Sequence, residues 1–595
     1  MATTQGAGPQ PVGRVQDATR WLSLLLLAVA AFVLLSSLLE RFDTYGYHDW
    51  DVHTAYRYVT TVSLLEYGEA PWWNPWLCGG FPAFGHPEGA TNLVSPYLPL
   101  YLLTDVRVAV RLEVLGATVT GLLGAFLLAR RFSASGALCA FVASVAILNG
   151  RWALQAAVGH TWHLQYAGLP WVLLLFDRSA ESGRLRDAVL AGAVLALMVY
   201  MGGIYPVPHT ALLLIVYAGV LTVARRSSRP VLALAVAGVT ALGFSAPKLA
   251  AVHDALLQAP RVIDSTEAIG LGSLLVMLTD RSQLPFLPPI AMPAYAWHEW
   301  GLYVGWAALV CLLPGALLVR GPRERALQVT ALVLLLLGLG AFHAWSPWAL
   351  LHRIPPFSSQ HVPSRFLFPM LLVAALLFAS WGEDLLRRSG GRRRWLEPVL
   401  LAAVALLVLD AAAVGKRTFA TAFLMEPPAT IEVAERFEHR KKPRVRYRFS
   451  DWAPPVLLSM MANQGVTECY GVPGSLRVGA RAVEDPDYRG PAWLTDGPGR
   501  AEVVDWSPNR ALVRYRAARP GSLLVYNMNF DPSWRVDGGP ALEHGNAVAA
   551  RVPSSEGVLE FRYVPRTMRY SLWLPPLTLA GCLAARWLLS RRRRS

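Results

Sequence analysis

Long apolar runs separated by short arginine clusters are the feature that most constrains this chain. Hydrophobic residue types make up 54% of its 595 residues and charged types only 16%, whereas soluble domains carry about 25% charged residues. A helix that crosses the hydrocarbon core of a bilayer needs about 20 mostly apolar residues. The sequence therefore predicts a multi-pass α-helical membrane protein.

The apolar runs predict twelve spans. Their cores lie at residues 21–39, 112–129, 135–150, 164–176, 188–203, 210–224, 231–247, 300–319, 326–342, 366–381, 398–415 and 570–585. We interpret 21–39 as a span and not as a cleaved signal, because no small-residue cleavage site follows it.

The arginine clusters test this count. With twelve spans, Arg14, Arg20 and the clusters at 130–131, 178–186, 225–229, 320–325, 387–394 and 591–594 all fall on one side. By the positive-inside rule that side is the cytoplasm, so both termini are expected there. The net charge of +15 is thus explained by topology, and we predict no nucleic-acid partner.

The long connections then all face outward, at residues 40–111, 248–299, 343–365 and 416–569. Residues 416–569 contain strand-like runs at 510–515, 522–527, 546–552 and 558–563, separated by turn signals. We predict four parts: a cytoplasmic N-terminus (1–20), a transmembrane module (21–415), an extracytoplasmic β-sandwich domain (416–569), and a last span with a basic tail (570–595).

Sequence motifs limit the chemistry. No glycine-rich nucleotide loop, GxSxG elbow or HExxH motif is present, and the five cysteines have no zinc-ligand spacing. Cys78 and Cys469 lie outside the spans and could pair, but their spacing leaves this open.

An acidic and aromatic stretch, Tyr45 to His53, closely follows the first span. Asp49 and Asp51 share a face if this stretch is extended and diverge if it is helical. A carboxylate here could act as a general base, or the two together could hold a divalent cation such as Mg²⁺ or Mn²⁺. The alternative is an ordinary solvated loop beside an aromatic belt.

A second stretch, residues 66–82, is dense in Pro, Gly and Trp. Such a segment forms rigid turns that lose little freedom on binding. Tryptophan rings also suit sugar and lipid at a membrane interface.

These stretches carry a resemblance to a known family. The acidic loop, WNPWLCGGFP at 73–82, HPEG at 86–89 and SPYLPLYLL at 95–103 resemble bacterial YfhO-type membrane proteins of the GT-C glycosyltransferase group. DPSWRVDG at 531–538 and EFRYVP at 560–565 look like that family's outer β-domain before the final span. Gly159-His160 and the PSRF run at 363–366 look like further landmarks.

The resemblance implies a GT-C-like transmembrane module in the bacterial cytoplasmic (inner) membrane. Such an enzyme moves a sugar from a polyprenyl-phosphate donor on the outer leaflet to an envelope glycan, lipid or protein acceptor, usually with inversion. An acidic residue of the first outer loop is the base, which maps onto Asp49 or Asp51, with Asp49 preferred. Membrane lipids are the other implied partners.

Further residues on the outer side are candidates for substrate binding. An arginine fork matches two phosphate oxygens of a lipid-linked donor. For Lys248 and Arg365 the alternative is snorkelling to head groups, and for His160 and Glu299 it is interface anchoring. The candidates are His48, His53, Arg57, Trp73, Asn74, His86, His160, Lys248, Glu299 and Arg365.

Two other functions compete with the transferase hypothesis. Twelve spans are also common in transporters, so the chain could instead carry or flip a lipid-linked saccharide, although its halves do not match in hydropathy. The β-domain could also be a glycan-binding module that the spans only anchor.

Overall fold

The computed structural model describes residues 11–88, 91–289, 295–448, 456–470 and 476–592. They form twenty α-helices: α1 Pro11–Leu35, α2 Trp50–Leu65, α3 Leu98–Leu103, α4 Val106–Ala129, α5 Gly136–Ile147, α6 Gly150–Ala157, α7 Leu169–Ser182, α8 Leu185–Tyr200, α9 Pro206–Arg225, α10 Arg229–Gln258, α11 Leu271–Thr279, α12 Trp297–Trp300, α13 Trp306–Leu318, α14 Pro322–Gly338, α15 Pro347–Leu351, α16 Leu367–Arg388, α17 Arg393–Phe419, α18 Val456–Met461, α19 Met568–Ser571 and α20 Leu574–Arg592. The predicted basic tail is described only in part, because Arg593 and Arg594 lie outside the described residues.

Local sequence sets several helix ends. Asn149 accepts hydrogen bonds from the backbone N–H groups of Arg151 and Trp152, which caps α6. Asp105 caps α4 in the same way through Arg107. Gly183, in the left-handed conformation at φ +71°, ends α7.

Seven helical segments in the described part of the chain are long and apolar enough to cross a membrane. They are Gln16–Leu39, Val106–Ala129, Gly136–Ala157, Pro206–Arg225, Arg229–Gln258, Pro363–Arg388 and Gly390–Phe419. Each coincides with one of the predicted cores. The five other cores, at 164–176, 188–203, 300–319, 326–342 and 570–585, fall on α7, α8, α13, α14 and α20. These helices do not meet that length and apolarity, so twelve spans remain a prediction.

Large apolar side chains point outward from these segments. Phe32, Val239 and Leu406 are 65%, 69% and 73% exposed, and such a surface on several helices requires an apolar surrounding. Gly136–Ala157, in contrast, is entirely buried and lies at the centre of the helical bundle.

The first predicted outer segment is folded onto the bundle. Arg57 on α2 donates from Nε and Nη2 to the Glu113 carboxylate on α4, at 2.8 and 2.9 Å. Closer to the N-terminus of α4, Arg111 donates to the carbonyl groups of Leu38 and Thr44. These buried contacts fix the position at which α2 begins.

Thirteen strands are present in the described residues: β1 Trp73–Asn74, β2 Phe81–Pro82, β3 Glu438–Arg440, β4 Gln464–Val466, β5 Ala492–Leu494, β6 Arg500–Ser507, β7 Arg510–Arg516, β8 Leu523–Asn529, β9 Trp534–Val536, β10 Gly539–Pro540, β11 Leu542–His544, β12 Ala547–Arg551 and β13 Gly557–Tyr563. The four strand runs predicted from sequence are confirmed as β7, β8, β12 and β13.

The β-rich region contains two antiparallel sheets. One has the strand order β10-β9-β13-β7-β6 and the other β11-β12-β8-β5. Val513 and Phe561 of the first sheet share a buried cluster with Leu524 and Val548 of the second. The sandwich arrangement itself stays a prediction.

A disulfide joins the first predicted outer segment to the region that precedes these sheets. Cys78 and Cys469 are bonded, with their Cα atoms 4.4 Å apart. The Asn529 side chain donates to the carbonyl groups of Cys78 and Gly80 at 2.6 and 2.9 Å. The pairing that the sequence left open is therefore present in the structure.

Candidate active site

Asp49 lies immediately before α2, in the first predicted outer segment. Its backbone N–H donates to the carbonyl of Val158 at 3.0 Å. Gly159, with φ +93°, lies directly against the backbone of Asp49 and Trp50. Trp50 adds a second tether, since its Nε1 donates to the Ala156 carbonyl at 2.8 Å. The Asp49 backbone is thus held by the loop that follows α6.

Three side chains from the described residues lie around the Asp49 carboxylate. His160 Nε2 lies 2.9 Å from Oδ2, Tyr470 donates to Oδ1 at 2.6 Å, and His48 Nδ1 lies 3.2 Å from Oδ1. Burial opposes ionisation, but the hydrogen bonds from His160 and His48 outweigh it and hold the pKa of Asp49 well below its usual value. The side chain remains 19% exposed, so Asp49 is an ionised group that solvent or a substrate can reach.

Asp51 points elsewhere. Tyr447 donates to its Oδ1 at 2.5 Å and the Leu457 N–H to its Oδ2 at 3.2 Å, so the carboxylate caps the start of α18. Burial raises the pKa of Asp51 to about 6. The two carboxylates therefore diverge, and no group of three or more His, Cys, Asp or Glu arranged for a metal ion is found among the described residues.

A chain of hydrogen bonds runs inward from His160. Gln155 Nε2 donates to the His298 carbonyl at 2.5 Å and to Glu299 Oε2 at 3.2 Å. This orients the amide, so Gln155 Oε1 accepts from His160 Nδ1 at 2.8 Å. The other ring nitrogen, Nε2, faces Asp49 Oδ2 at 2.9 Å.

Arg365 ends this chain. It donates from Nη2 and Nε to the two oxygens of Glu299, at 2.5 and 3.1 Å. Burial opposes ionisation of Glu299, but Arg365 and His160 hold its pKa well below the usual value. The guanidinium lies over the rings of Trp162 and Tyr205, at 4.6 and 4.1 Å.

Several buried polar atoms at this end have no partner among the described residues. Arg365 Nη1 and the Tyr205 hydroxyl oxygen are among them. Buried polar atoms are nearly always paired in folded proteins. The cation and the hydroxyl therefore have hydrogen-bonding capacity that no described residue uses.

Other predicted binding residues form hydrogen bonds or ion pairs within the protein. His53 Nδ1 lies 3.1 Å from the Thr161 hydroxyl, and burial lowers the pKa of His53 to about 4. Lys248 donates to the carbonyl groups of Phe84 and His86 at 2.7 and 2.9 Å. Arg57 is saturated by Glu113, as described above, which leaves it no fork for phosphate.

Trp73 and Asn74 lie away from Asp49. Trp73 packs against Trp534 and Tyr563 of the β-rich region, with ring centroids 5.3 and 4.7 Å away. Asn74 accepts a hydrogen bond from the Trp76 N–H at 3.0 Å and so forms a local turn. The tryptophan-rich stretch thus attaches the β-rich region to the first predicted outer segment.

Sequence reasoning missed Gln155, Tyr470 and Tyr205. Gln155 is a polar residue within an otherwise apolar stretch, and this pattern in the sequence could have identified it as a candidate. Tyr470 follows Cys469 directly, but its relation to Asp49 depends on the disulfide. Two cavities in the described part of the chain, of about 870 and 580 Å³, are lined by other residues than Asp49.

Comparison with solved structures gives distant likenesses. The chain is similar to the arabinofuranosyltransferase AftD from Mycobacteria, with 19% identity and a TM-score of 0.40 over 67% of this chain and 27% of that one. For a mutant of AftD the values are 17% and 0.44, over 75% and 33%. For the oligosaccharyltransferase AglB from Archaeoglobus fulgidus, in complex with an inhibitory peptide and a dolichol-phosphate, they are 14% and 0.40, over 68% and 56%.

The chain thus spans less than two thirds of the length of each of these three structures. No protein-family model and no curated protein matches it. These neighbours are glycosyltransferases, and their likeness to this chain is distant.

Proposed function

We propose that the chain is a membrane glycosyltransferase that moves a sugar from a polyprenyl-phosphate donor to a hydroxyl group of a glycan, lipid or protein on the outer leaflet. The observation that carries this proposal is the hydrogen-bonded chain from the Asp49 carboxylate through His160 to Glu299 and Arg365. One end of it can accept a proton, and the other end supplies a cation for a phosphate.

In the proposed reaction the acceptor hydroxyl oxygen attacks the anomeric carbon of the donor sugar. The bond from that carbon to the phosphate oxygen breaks, and the lipid phosphate leaves with the bonding electrons. The hydroxyl proton passes to Asp49, and the single displacement inverts the configuration at the anomeric carbon. Because its pKa is low, Asp49 is ionised at neutral pH and is a weak base. It therefore takes the proton as the new bond makes the hydroxyl acidic.

We assign the donor phosphate to Arg365. Glu299 occupies Nε and Nη2 of this guanidinium, which leaves Nη1 to donate to a phosphate oxygen. The Tyr205 hydroxyl is a second donor at the same place. Lys248, an alternative from the sequence, is given the role of holding the loop at Phe84 and His86.

The disulfide supports an outer location for the site. Disulfides persist in oxidising compartments and are rare in the cytoplasm. Cys78 belongs to the first predicted outer segment and Cys469 to the predicted outer domain, and both lie on the non-cytoplasmic side of the twelve-span arrangement. Asp49, which contacts the neighbour of Cys469, is then on that side as well.

The test is donor cleavage by the purified chain. A panel of polyprenyl-phosphate sugars and simple glycan acceptors is supplied in detergent, and release of polyprenyl phosphate is measured by mass spectrometry. Asp49→Asn is expected to lower the rate at least about 100-fold, as loss of a general base does. Asp43→Asn is the matched control, because Asp43 is an exposed carboxylate of the same segment.

Two outcomes separate the claims. A wild-type rate in Asp49→Asn would refute the assignment of the base. Flux of a lipid-linked saccharide across proteoliposomes, with no release of polyprenyl phosphate from any donor, would refute the transferase and favour the transporter.

A further inference from the structure

A second cavity, of about 580 Å³, lies between the first outer segment and the β-rich region. Its wall includes Tyr67, just beyond the end of α2, and residues 435–439, β6 and β8. α2 has 16 residues, so Tyr67 lies about 24 Å along the helix from Asp49. The cavity is therefore distinct from the candidate active site.

An aromatic cluster forms one side of this cavity. The rings of Phe437 and Trp506 are stacked, with centroids 4.6 Å apart and planes at 10°. Tyr67 meets Trp506 edge-on at 5.7 Å, and Trp506 Nε1 donates to the Tyr526 hydroxyl at 3.0 Å. Trp506 is thus fixed from several directions, so little side-chain freedom is lost when a ligand binds to it.

The polar lining suits a ligand with many hydroxyl groups and no negative charge. The hydroxyls of Tyr67 and Tyr488 have no hydrogen-bond partner in the described part of the chain and can donate or accept. Carboxylates are hydrogen-bond acceptors for sugar hydroxyls. Three of the four here are paired with arginines, Glu502 with Arg436, Glu438 with Arg440 and Asp505 with Arg510, so the wall has no large excess of charge that would favour an ionic ligand. The lining carboxylates are Glu435, Glu438, Glu502 and Asp505, and the guanidiniums are Arg436 and Arg514.

The sheet is irregular at the cavity. The register between β6 and β7 shifts between Val503 and Asp505, so that Val504 is an extra residue. Val504 is 38% exposed, and both Val504 and Asp505 line the cavity. A bulge redirects side chains locally and is frequent beside functional sites.

We propose that this cavity binds an uncharged saccharide, with Trp506 as the platform for a sugar ring. Its volume lies in the range of about 300–1,000 Å³ that small-molecule sites occupy. The proposal concerns binding alone. Use of the cavity to hold an acceptor glycan rests on the function proposed above.

The test is saccharide binding by the full chain in lipid nanodiscs, measured by saturation-transfer NMR. The probes are the neutral maltohexaose, cellohexaose, chitohexaose and mannohexaose, with hexagalacturonate and hexalysine as charged probes. At least one neutral probe is expected to bind, and Trp506→Ala and Tyr488→Ala each to weaken it at least tenfold. Trp345→Ala is the matched control, because Trp345 is 74% exposed in another predicted outer segment.

Tyr488→Ala keeps the test valid if Trp506→Ala fails to fold, because Tyr488 is half-buried and packs against no other described ring. The proposal is overturned if no neutral probe binds, if binding survives Tyr488→Ala, or if a charged probe binds more tightly. Asp49→Asn should bind saccharide like the wild type, so that a failed transferase and a failed saccharide site are distinguished.

Discussion

Gly159→Ala is expected to displace Asp49, although it adds only one methyl group. A Cβ at Gly159 would lie 2.2 Å from the Trp50 nitrogen and 2.7 Å from the Asp49 carbonyl carbon, whereas ordinary contact begins at 3.4 Å. The start of α2 must therefore move away by about 1 Å, a misplacement that costs about 100-fold in rate. That factor corresponds to about 2.7 kcal/mol of activation free energy.

The same substitution also strains the backbone. Gly159 has φ +93°, and an L-residue in such a conformation costs about 1–3 kcal/mol. Gly68→Ala is the matched control, because Gly68 also has a positive φ, +64°, but an added Cβ would meet nothing within 4 Å. It introduces strain without the contact to Asp49.

Release of polyprenyl phosphate and thermal unfolding are measured for both variants in the same detergent. Gly159→Ala should lose kcat and melt at a lower temperature, whereas Gly68→Ala should melt slightly lower with an unchanged kcat. A wild-type kcat in Gly159→Ala would refute the reasoning. So would an equal loss of kcat in both variants, because the rate would then not depend on the contact with Asp49.

Three further predictions concern the contacts around the site. Cys469→Ser is expected to lower the free energy of unfolding by about 2–4 kcal/mol, and a wild-type protein that melts identically with and without reductant would contradict this. Burial raises the pKa of Asp51 to about 6, above its value in the unfolded chain, so the folded state binds the proton more tightly. This contribution to stability is present at low pH and is lost as the pH rises through about 6. The unfolding free energy of the wild type relative to Asp51→Asn should therefore fall by about 3 kcal/mol between about pH 3 and about pH 7, and a flat difference would count against it. Glu113→Gln leaves Arg57 buried without its counter-charge and should lower the free energy of unfolding by about 3–5 kcal/mol. The double variant Arg57→Met with Glu113→Leu should restore most of this loss. Equal melting of the single and the double variant would exclude this account.

The positions of the helices and of the main strands were predictable because their signals are local. An apolar run of sufficient length, or alternation with turn residues on both sides, depends only on neighbouring residues. The cores at 21–39 and 112–129 and the strands around Val513 and Phe561 were found in this way. The predicted cores do not match the ends of the shorter helices α7, α8, α13 and α14. The reason is that a run of apolar residues does not reveal where a helix stops.

The site was predictable in residue types and not in roles. Asp49, His160, Glu299 and Arg365 stood out as polar residues in predicted outer segments, and the structure joins them through Gln155. Arg57 stood out for the same reason, yet it pairs with Glu113, because a buried cation takes the nearest carboxylate that can satisfy its fork.

The sequence by itself determined that the chain has helices able to cross a membrane, an acidic segment after the first of them and a β-rich region. Only the tertiary structure decided between the two carboxylates. Asp49 meets Tyr470, 421 residues away, and Asp51 meets Tyr447, 396 residues away. The physical reason is that burial and hydrogen bonding set the ionisation of a carboxylate, and both depend on groups that only folding brings to it.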